Sequence, residues 1–222
     1  MEITNKSQHD PAAELPIVEA YMTWALRAAE EVVGKQGLGI ILRDNGLERF
    51  IDHYPSEILS LNHSITYADY ANLCTGLLKF YGRAGKSVVI RIGRIASRLA
   101  IEHQGAIFNV AARTAIKLLP LSSQIKTGME NMQAGFRKIY KDIDLHLRLE
   151  DRGNTWAYIG ELCPVCAGKE SDAHICWSWI GTLQESLLWL TGKEFQIEEV
   201  ECRAKGATAC VWEVSKTEKR ER

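Results

Sequence analysis

The chain has 222 residues, of which 46% are hydrophobic, and a formal net charge of −1. This length and hydrophobic content suffice for one large domain with a buried core, whereas the near-neutral charge argues against a nucleic-acid-binding surface. No stretch reaches the length of a membrane span, and the N-terminus lacks the basic and apolar segments of a signal peptide, so we expect a cytoplasmic protein.

The N-terminal part of the chain is predicted to begin with a flexible segment followed by a helix. Residues 1–12 are polar and are expected to be mobile, and apolar residues at helical spacing predict a helix over residues 16–34. Residues 37–55 contain Gly37 and Gly39, but no lysine of a phosphate-binding loop follows them. We therefore interpret residues 37–55 as a loop and a short helix.

Further helices are predicted up to about residue 140. Thr66 and Asp69 have the spacing of a capping box, which starts a helix. A second helix is predicted over residues 86–103, where apolar residues recur at helical spacing. Residues 106–140 are again mostly helical, with an interruption at Pro120. These segments predict a helical N-terminal half.

The periodicity then changes from helical to alternating. Alternation of apolar and polar residues predicts a strand over residues 143–149 and a second one over residues 155–162. A helix is predicted over residues 174–191, followed by a hairpin with strands at residues 194–202 and 209–215. Without a linker or repeat in between, the sequence predicts one α+β domain, in which helices pack on an antiparallel sheet.

The strongest chemical signal lies in the last third, which holds five of the six cysteines. Thiolates in a C-x-x-C pair with returning single cysteines are typical ligands of zinc or iron, because soft sulfur binds these metals tightly. Glu199 lies three residues before Cys202, and on an ideal strand the two side chains would face opposite sides. Joint ligation therefore needs a bulge or an early strand end. The five cysteines are Cys163, Cys166, Cys176, Cys202 and Cys210.

The segment CPVCAGKESDAHICWSWIGTLQESLLWLTGKEFQIEEVECRAKGATACVWEV resembles the 4-vinyl reductase domain, a family of small-molecule-binding proteins. The resemblance is specific over residues 143–215. It implies a fold related to TRAPP subunits, to nitric-oxide-signalling and Golgi-transport ligand-binding domains, and to the sensor domains of phenol-responsive activators. It also implies one ligand-binding domain over residues 13–215, a flexible tail at residues 216–222, and a homodimer like the TRAPP relatives.

The resemblance also selects a set of metal ligands. In the phenol sensors the pattern C-W-x21-E-x2-C-x7-C holds zinc, and this chain has Cys176, Glu199, Cys202 and Cys210 at those intervals. The resemblance thus implies a structural zinc at these four residues. It assigns no role to the preceding C-x-x-C pair, which could complete an all-cysteine site, hold a second metal, or remain a reduced thiol pair. His174 could serve as a spare ligand.

The function expected from this resemblance is binding of a hydrocarbon, aromatic or tetrapyrrole-like molecule. The candidate ligand-binding residues are Trp156, Tyr158, Trp177 and Trp179, since aromatic side chains offer apolar area with a polar tip. The alternatives are an enzyme or accessory protein of (bacterio)chlorophyll synthesis and a structural dimerisation module. The sequence shows neither a catalytic constellation nor a dinucleotide-binding motif, so no catalytic residue is predicted.

Overall fold

A computed structural model describes residues 2–103 and 110–219. Six helices and eight strands lie in the described part of the chain. The helices are α1 (Glu19–Asp44), α2 (Tyr67–Tyr81), α3 (Gly85–His103), α4 (Val110–Lys117), α5 (Leu121–Ile139) and α6 (Trp177–Thr191). The strands are β1 (Ile3–Asn5), β2 (Pro16–Val18), β3 (Leu61–Thr66), β4 (Leu147–Asp151), β5 (Thr155–Gly160), β6 (Lys169–Ser171), β7 (Phe195–Glu201) and β8 (Cys210–Glu218).

The strands confirm the predicted α+β architecture. β4, β5, β8 and β7 form, in this order, a four-stranded antiparallel sheet, and the helices pack against it around one continuous core. Two further antiparallel pairs join β1 to β6 and β2 to β3. No helix within residues 2–103 and 110–219 is both long and apolar enough to cross a bilayer.

The first helix is longer than the sequence predicts. It is kinked at Gly34, whose φ of 75° lies in the left-handed region that glycine adopts without strain. The helix then continues to Asp44, because Leu38, Ile41 and Leu42 recur at helical spacing and are buried. The expected loop over Gly37 and Gly39 is therefore wrong, and the short helix expected within residues 37–55 is a single 3-10 turn, Glu48–Phe50.

Two helix boundaries agree with the sequence. Thr66 caps α2 through the predicted box, since its hydroxyl accepts from the Asp69 N–H and the Asp69 carboxylate accepts from the Thr66 N–H. Pro120 precedes α5 and separates it from α4. Residues 106–109 of the helical segment predicted over residues 106–140 lie outside the described part of the chain.

The first strand of the sheet begins later than predicted. The extended conformation starts at Leu147 rather than Ile143, because the Asp144 carboxylate accepts a hydrogen bond from the His146 N–H and holds a turn. His146 has a φ of 48°, which is incompatible with a continuous strand.

The N-terminal residues, for which the sequence predicts mobility, have defined contacts in the structure. Ile3 is buried, and β1 pairs with β6. Asp10 is buried and forms an ion pair of 2.8 Å with Arg203, the residue after Cys202. The N-terminus is thus joined to the region that holds the cysteines.

Candidate metal centre and ligand cavity

Five buried cysteines and one buried glutamate lie together where three parts of the C-terminal third meet. The turn after β5 supplies the C-x-x-C pair, and the residue that caps the N-terminus of α6 supplies one cysteine. The β7–β8 hairpin supplies the other three donors. The six donors are Cys163, Cys166, Cys176, Glu199, Cys202 and Cys210.

The sulfur atoms have the spacing of metal ligands. The Sγ of Cys176 lies 3.6 Å from that of Cys163, 3.9 Å from that of Cys202 and 3.8 Å from that of Cys210. The Sγ of Cys166 lies 3.5 Å from that of Cys210. Sulfurs bound at about 2.3 Å to a tetrahedral zinc are about 3.8 Å apart. The cluster therefore has the size that a tetrahedral metal requires.

Among residues 2–103 and 110–219, two groups of four have all donor atoms within 4.8 Å of one another. The first group is the set that the sequence resemblance implies, and consists of Cys176, Glu199, Cys202 and Cys210. The second group contains the C-x-x-C pair and consists of Cys163, Cys166, Cys176 and Cys210. Every sequence-predicted metal ligand, including the two alternatives, is thus brought into one cluster.

The end of β7 resolves the objection that Glu199 and Cys202 should face opposite sides. The pairing of β7 with β8 shifts register between Glu199 and Glu201, which marks an irregularity in the strand. The strand ends at Glu201, so the side-chain direction of Cys202 is not fixed by the alternation of a strand. Both conditions named from the sequence are met, and both side chains reach the cluster.

Glu199 is a buried carboxyl group among the cysteines of the cluster. Burial raises the pKa of its carboxyl to about 9, because a charge is poorly solvated there. Its Oε2 accepts a hydrogen bond of 3.0 Å from the Cys176 N–H, while its Oε1 is buried without any protein partner. A cation at the cluster would satisfy this orphaned oxygen.

The thiols influence one another's protonation. The contact with Cys166 raises the pKa of Cys202, whereas hydrogen bonds with Cys176 and Cys210 outweigh it and lower the pKa to about 6. Thiolates are the form that binds metals. The donor set, the sulfur spacing and the orphaned carboxylate oxygen together fit zinc, which accepts sulfur and carboxylate ligands in a tetrahedron.

The sixth cysteine, Cys74, and the spare-ligand candidate His174 lie outside both groups of four. Cys74 in α2 is buried, and its Sγ lies 3.5 Å from the Ser178 Oγ. His174 is half-buried two residues before Cys176, and burial lowers the pKa of its imidazole. Cys74 is thus a core residue, and His174 lies beside the cluster.

A cavity of about 170 Å³ lies between the helices and the sheet. Residues of α1, α2, α3, α5 and α6 form most of its wall, and residues of the sheet, together with Cys163 and Pro164 of the C-x-x-C turn, contribute to the rest. One residue therefore belongs both to the cavity wall and to the cysteine cluster. The aromatic residues of the wall are Tyr21, Trp24, Tyr67, Tyr70, Phe136, Tyr140, Trp179 and Trp212.

The structure places the four sequence-predicted aromatic residues in different surroundings. Trp179 lines the cavity. Tyr158 is fully buried behind it, with 5.9 Å between the ring centroids. Trp156 is half-buried away from the cavity, where its Nε1 donates to the Ser122 hydroxyl. Trp177 lies under the Lys86 ammonium, 4.1 Å from the ring centroid.

Sequence reasoning missed most of the cavity wall. Trp24 on α1 and Trp212 on β8 both line the cavity, although 188 positions separate them in the chain. The alternation of β8 predicts that Trp212 is buried, and helical spacing predicts that Tyr21 is buried. Neither pattern reveals that these residues border an open space rather than ordinary core.

Comparison with known proteins supports the resemblance in the C-terminal third. Residues 156–216 match the family model of the 4-vinyl reductase domain. This segment contains all six donors of the cluster and lies almost entirely within residues 143–215, the stretch whose motifs resemble the same family. No curated protein sequence matches the chain.

Solved structures of H-NOX proteins show the fold of the whole domain. The H-NOX protein from K. algicida in the Fe(II) unliganded form has 12% sequence identity and a TM-score of 0.58, over 93% of this chain and 100% of that protein. The H-NOX protein from S. oneidensis in the Fe(II)NO ligation state has 13% identity and a TM-score of 0.54, over 87% and 97% respectively. The chain thus has a fold like that of the H-NOX proteins, and its C-terminal third contains the matched segment.

Proposed function

We propose that this protein binds an apolar small molecule in its aromatic cavity and carries a structural zinc held by Cys176, Glu199, Cys202 and Cys210. The observation that carries the proposal is the aromatic cavity itself, whose wall includes Cys163 of the cysteine cluster. A mostly apolar space with a few polar groups is the usual form of a ligand site. The ligand classes follow from the resemblance and are a hydrocarbon, an aromatic or a tetrapyrrole-like molecule.

The volume of the cavity favours the smallest of these ligands. A cavity of about 150 Å³ lined by apolar side chains binds benzene, and the cavity here is about 170 Å³. Pockets for larger ligands have roughly 300–1,000 Å³. A single aromatic ring or a short hydrocarbon fits the cavity as it stands, whereas a tetrapyrrole would require the wall to move.

The polar groups of the wall suit a neutral ligand. Burial raises the pKa of the Tyr67 and Tyr140 hydroxyls, so both stay protonated at neutral pH. The Ser97 and Ser186 hydroxyls lie 3.0 Å apart at the α3–α6 side of the cavity. Hydroxyl groups of this kind can both donate to and accept from a ligand hydroxyl. A ring with one hydroxyl therefore matches the wall better than a charged molecule.

The proposed zinc has a structural rather than a catalytic role. With three thiolates and one carboxylate, all four positions of a tetrahedron are filled by protein, which leaves none for a reacting water. Bound zinc would neutralise part of the negative charge of the buried Glu199 carboxylate and the thiolates. The residues it would join are the cap of α6, the end of β7 and the start of β8, so it would hold α6 and its Trp179 against the hairpin.

The cellular setting and assembly are part of the same proposal. All six cysteines are free of disulfides, and reduced thiols are typical of the cytoplasm. We therefore place the protein in the cytoplasm. A homodimer is proposed from the resemblance and from the frequency of two-fold symmetric dimers.

The test of ligand binding uses toluene and phenol as probes and fills the cavity with a side chain. Ala96 on α3 lines the cavity and is half-buried, whereas Ala134 on α5 is exposed. We expect wild type and Ala134→Phe to bind both probes in calorimetric titration, with Ala96→Phe losing at least tenfold in affinity. Circular dichroism establishes that both variants are folded. Equal binding by Ala96→Phe and Ala134→Phe would show that the cavity is not the binding site.

A further inference from the structure

The two groups of metal donors share one edge. Cys176 and Cys210 belong to both groups, and their sulfur atoms lie 3.8 Å apart. The C-x-x-C pair completes one group, and Glu199 with Cys202 completes the other. Two tetrahedra that share an edge in this way need six ligands, and the cluster has six.

A single metal in either group leaves part of the cluster unexplained. A metal bound by the C-x-x-C group alone leaves the buried Glu199 Oε1 without a partner. A metal bound by the Glu199 group alone leaves Cys163 and Cys166 unligated, although their sulfurs lie 3.6 and 3.5 Å from the sulfurs of Cys176 and Cys210. Both observations are accounted for when each group holds its own metal.

We propose that the cluster is a binuclear centre, in which two zinc ions are bridged by the thiolates of Cys176 and Cys210. Cys163 and Cys166 complete the first ion's tetrahedron, and Glu199 and Cys202 complete that of the second. This inference rests on the zinc site proposed above and adds a second ion to it. The sulfur-rich donor set suits zinc, which imposes no geometry of its own and accepts shared thiolates.

Two ions compensate most of the negative charge of the full donor set. When all six donors ligate as five thiolates and one carboxylate, they carry six negative charges, which two divalent ions reduce to about −2. The side chain of Arg203 lies next to the cluster but is already paired with Asp10. The Arg203 backbone N–H donates to the Cys210 Sγ at 3.4 Å, as expected for a thiolate that carries shared charge.

The ion added by this inference would be the one nearer to the ligand cavity. Cys163 is both a member of the C-x-x-C group and a wall residue of the cavity, and Pro164 is the next wall residue. The geometry of the C-x-x-C turn therefore sets part of the cavity's shape. This placement gives Cys163 and Cys166 a role that the resemblance did not assign.

The metal content of three proteins tests the proposal. Wild type purified with zinc is compared with the double variant Cys163→Ser/Cys166→Ser and with Cys74→Ser, which removes a buried cysteine outside the cluster. Native mass spectrometry and elemental analysis should give two zinc ions per chain for wild type and Cys74→Ser, and one for the double variant. One zinc per chain in all three proteins would overturn the proposal.

Cadmium-113 replacement tests the shared edge. In wild type we expect two cadmium-113 resonances that are coupled to each other through the bridging sulfurs, and in the double variant one resonance without coupling. Two uncoupled resonances in wild type would overturn the bridging arrangement. If wild type binds a single zinc that is lost in Cys202→Ala, the added ion is refuted but the proposal of one structural zinc stands. A wild-type protein without zinc would refute both proposals.

Discussion

Gly93 and Gly181 allow α3 and α6 to touch through their backbones, and we expect Gly93→Ala to destabilise the protein strongly. A Cβ atom at Gly93 would lie 2.1 Å from the Ser178 carbonyl oxygen, and one at Gly181 would lie 2.1 Å from that of Ile90. Because an ordinary contact is at least 3.4 Å, the two helices would have to separate by more than about 1 Å. Such overpacking costs about 1–3 kcal/mol, and alanine's helix propensity offsets less than about 1 kcal/mol of it.

The control is Gly135→Ala in the exposed part of α5. A Cβ atom there would have no atom within 4 Å, and Gly135 has no positive φ. We expect this substitution to stabilise the protein by about 0.5–1 kcal/mol, since alanine loses less backbone entropy than glycine on folding. The glycine-to-alanine substitution should therefore lower the free energy of unfolding at Gly93 and raise it at Gly135.

The assay is urea unfolding of the zinc-loaded proteins at 25 °C, followed by circular dichroism. In a thermal scan of the same proteins, a loss of about 2 kcal/mol would lower Tm by roughly 4–8 °C for a chain of this length. Because α3 and α6 also carry Ala96 and Trp179 of the cavity wall, Gly93→Ala should weaken toluene binding as well. A Gly93→Ala protein as stable as Gly135→Ala would refute the close contact between the helices.

Four further predictions concern the metal, the cavity, a buried lysine and assembly. Cys210→Ala should lose zinc and lower Tm, because metal binding and folding are coupled; visible iron–sulfur absorption would contradict zinc. Removal of zinc from protein that stays folded should weaken binding of an apolar fluorescent probe. Linkage then requires that the bound probe raise the affinity for zinc by the same factor. Equal probe affinity of the zinc-loaded and zinc-free protein would refute this coupling. Burial lowers the pKa of Lys169 to about 8. Above about pH 8 the folded protein therefore loses the Lys169 proton while the unfolded chain keeps it, so the free energy of unfolding should rise towards about pH 10. Lys169→Met should lack this rise in parallel urea titrations. Sedimentation should give a dimer at micromolar concentration, and a monomer would contradict the proposed assembly.

The candidate metal ligands could be recognised from the sequence because their chemistry is local. Cysteine spacing indicates a metal without knowledge of the fold, and the resemblance selected Cys176, Glu199, Cys202 and Cys210 from the candidates. The spacing of the cysteines could not reveal how the two groups are placed relative to each other, because the C-x-x-C turn and the hairpin are brought together by the pairing of β5 with β8. The register places Gly160 beside Cys210 and so brings the two segments together.

The cavity could not be predicted because periodicity reports burial and not packing. Tyr158 and Trp179 are both aromatic residues of the core in the best-matched segment, yet only Trp179 borders the open space. Whether a core residue borders the cavity depends on how the side chains of α1 and α5 pack, and these helices lie far from the C-terminal segment in the sequence. The error at Gly37 and Gly39 has a similar cause, since the burial of Leu38, Ile41 and Leu42 overrides the weak helix propensity of glycine.

The cluster and the cavity depend on the same short elements, and this explains why ligand and metal should act on each other. Cys176 caps the N-terminus of α6, and Trp179 lies one turn further along the same helix. Cys163 reaches the cluster from the other side while its own turn forms cavity wall. Any change in the cluster that moves either cysteine therefore moves a residue that faces the cavity. A metal that only joined distant surface loops would not have this effect.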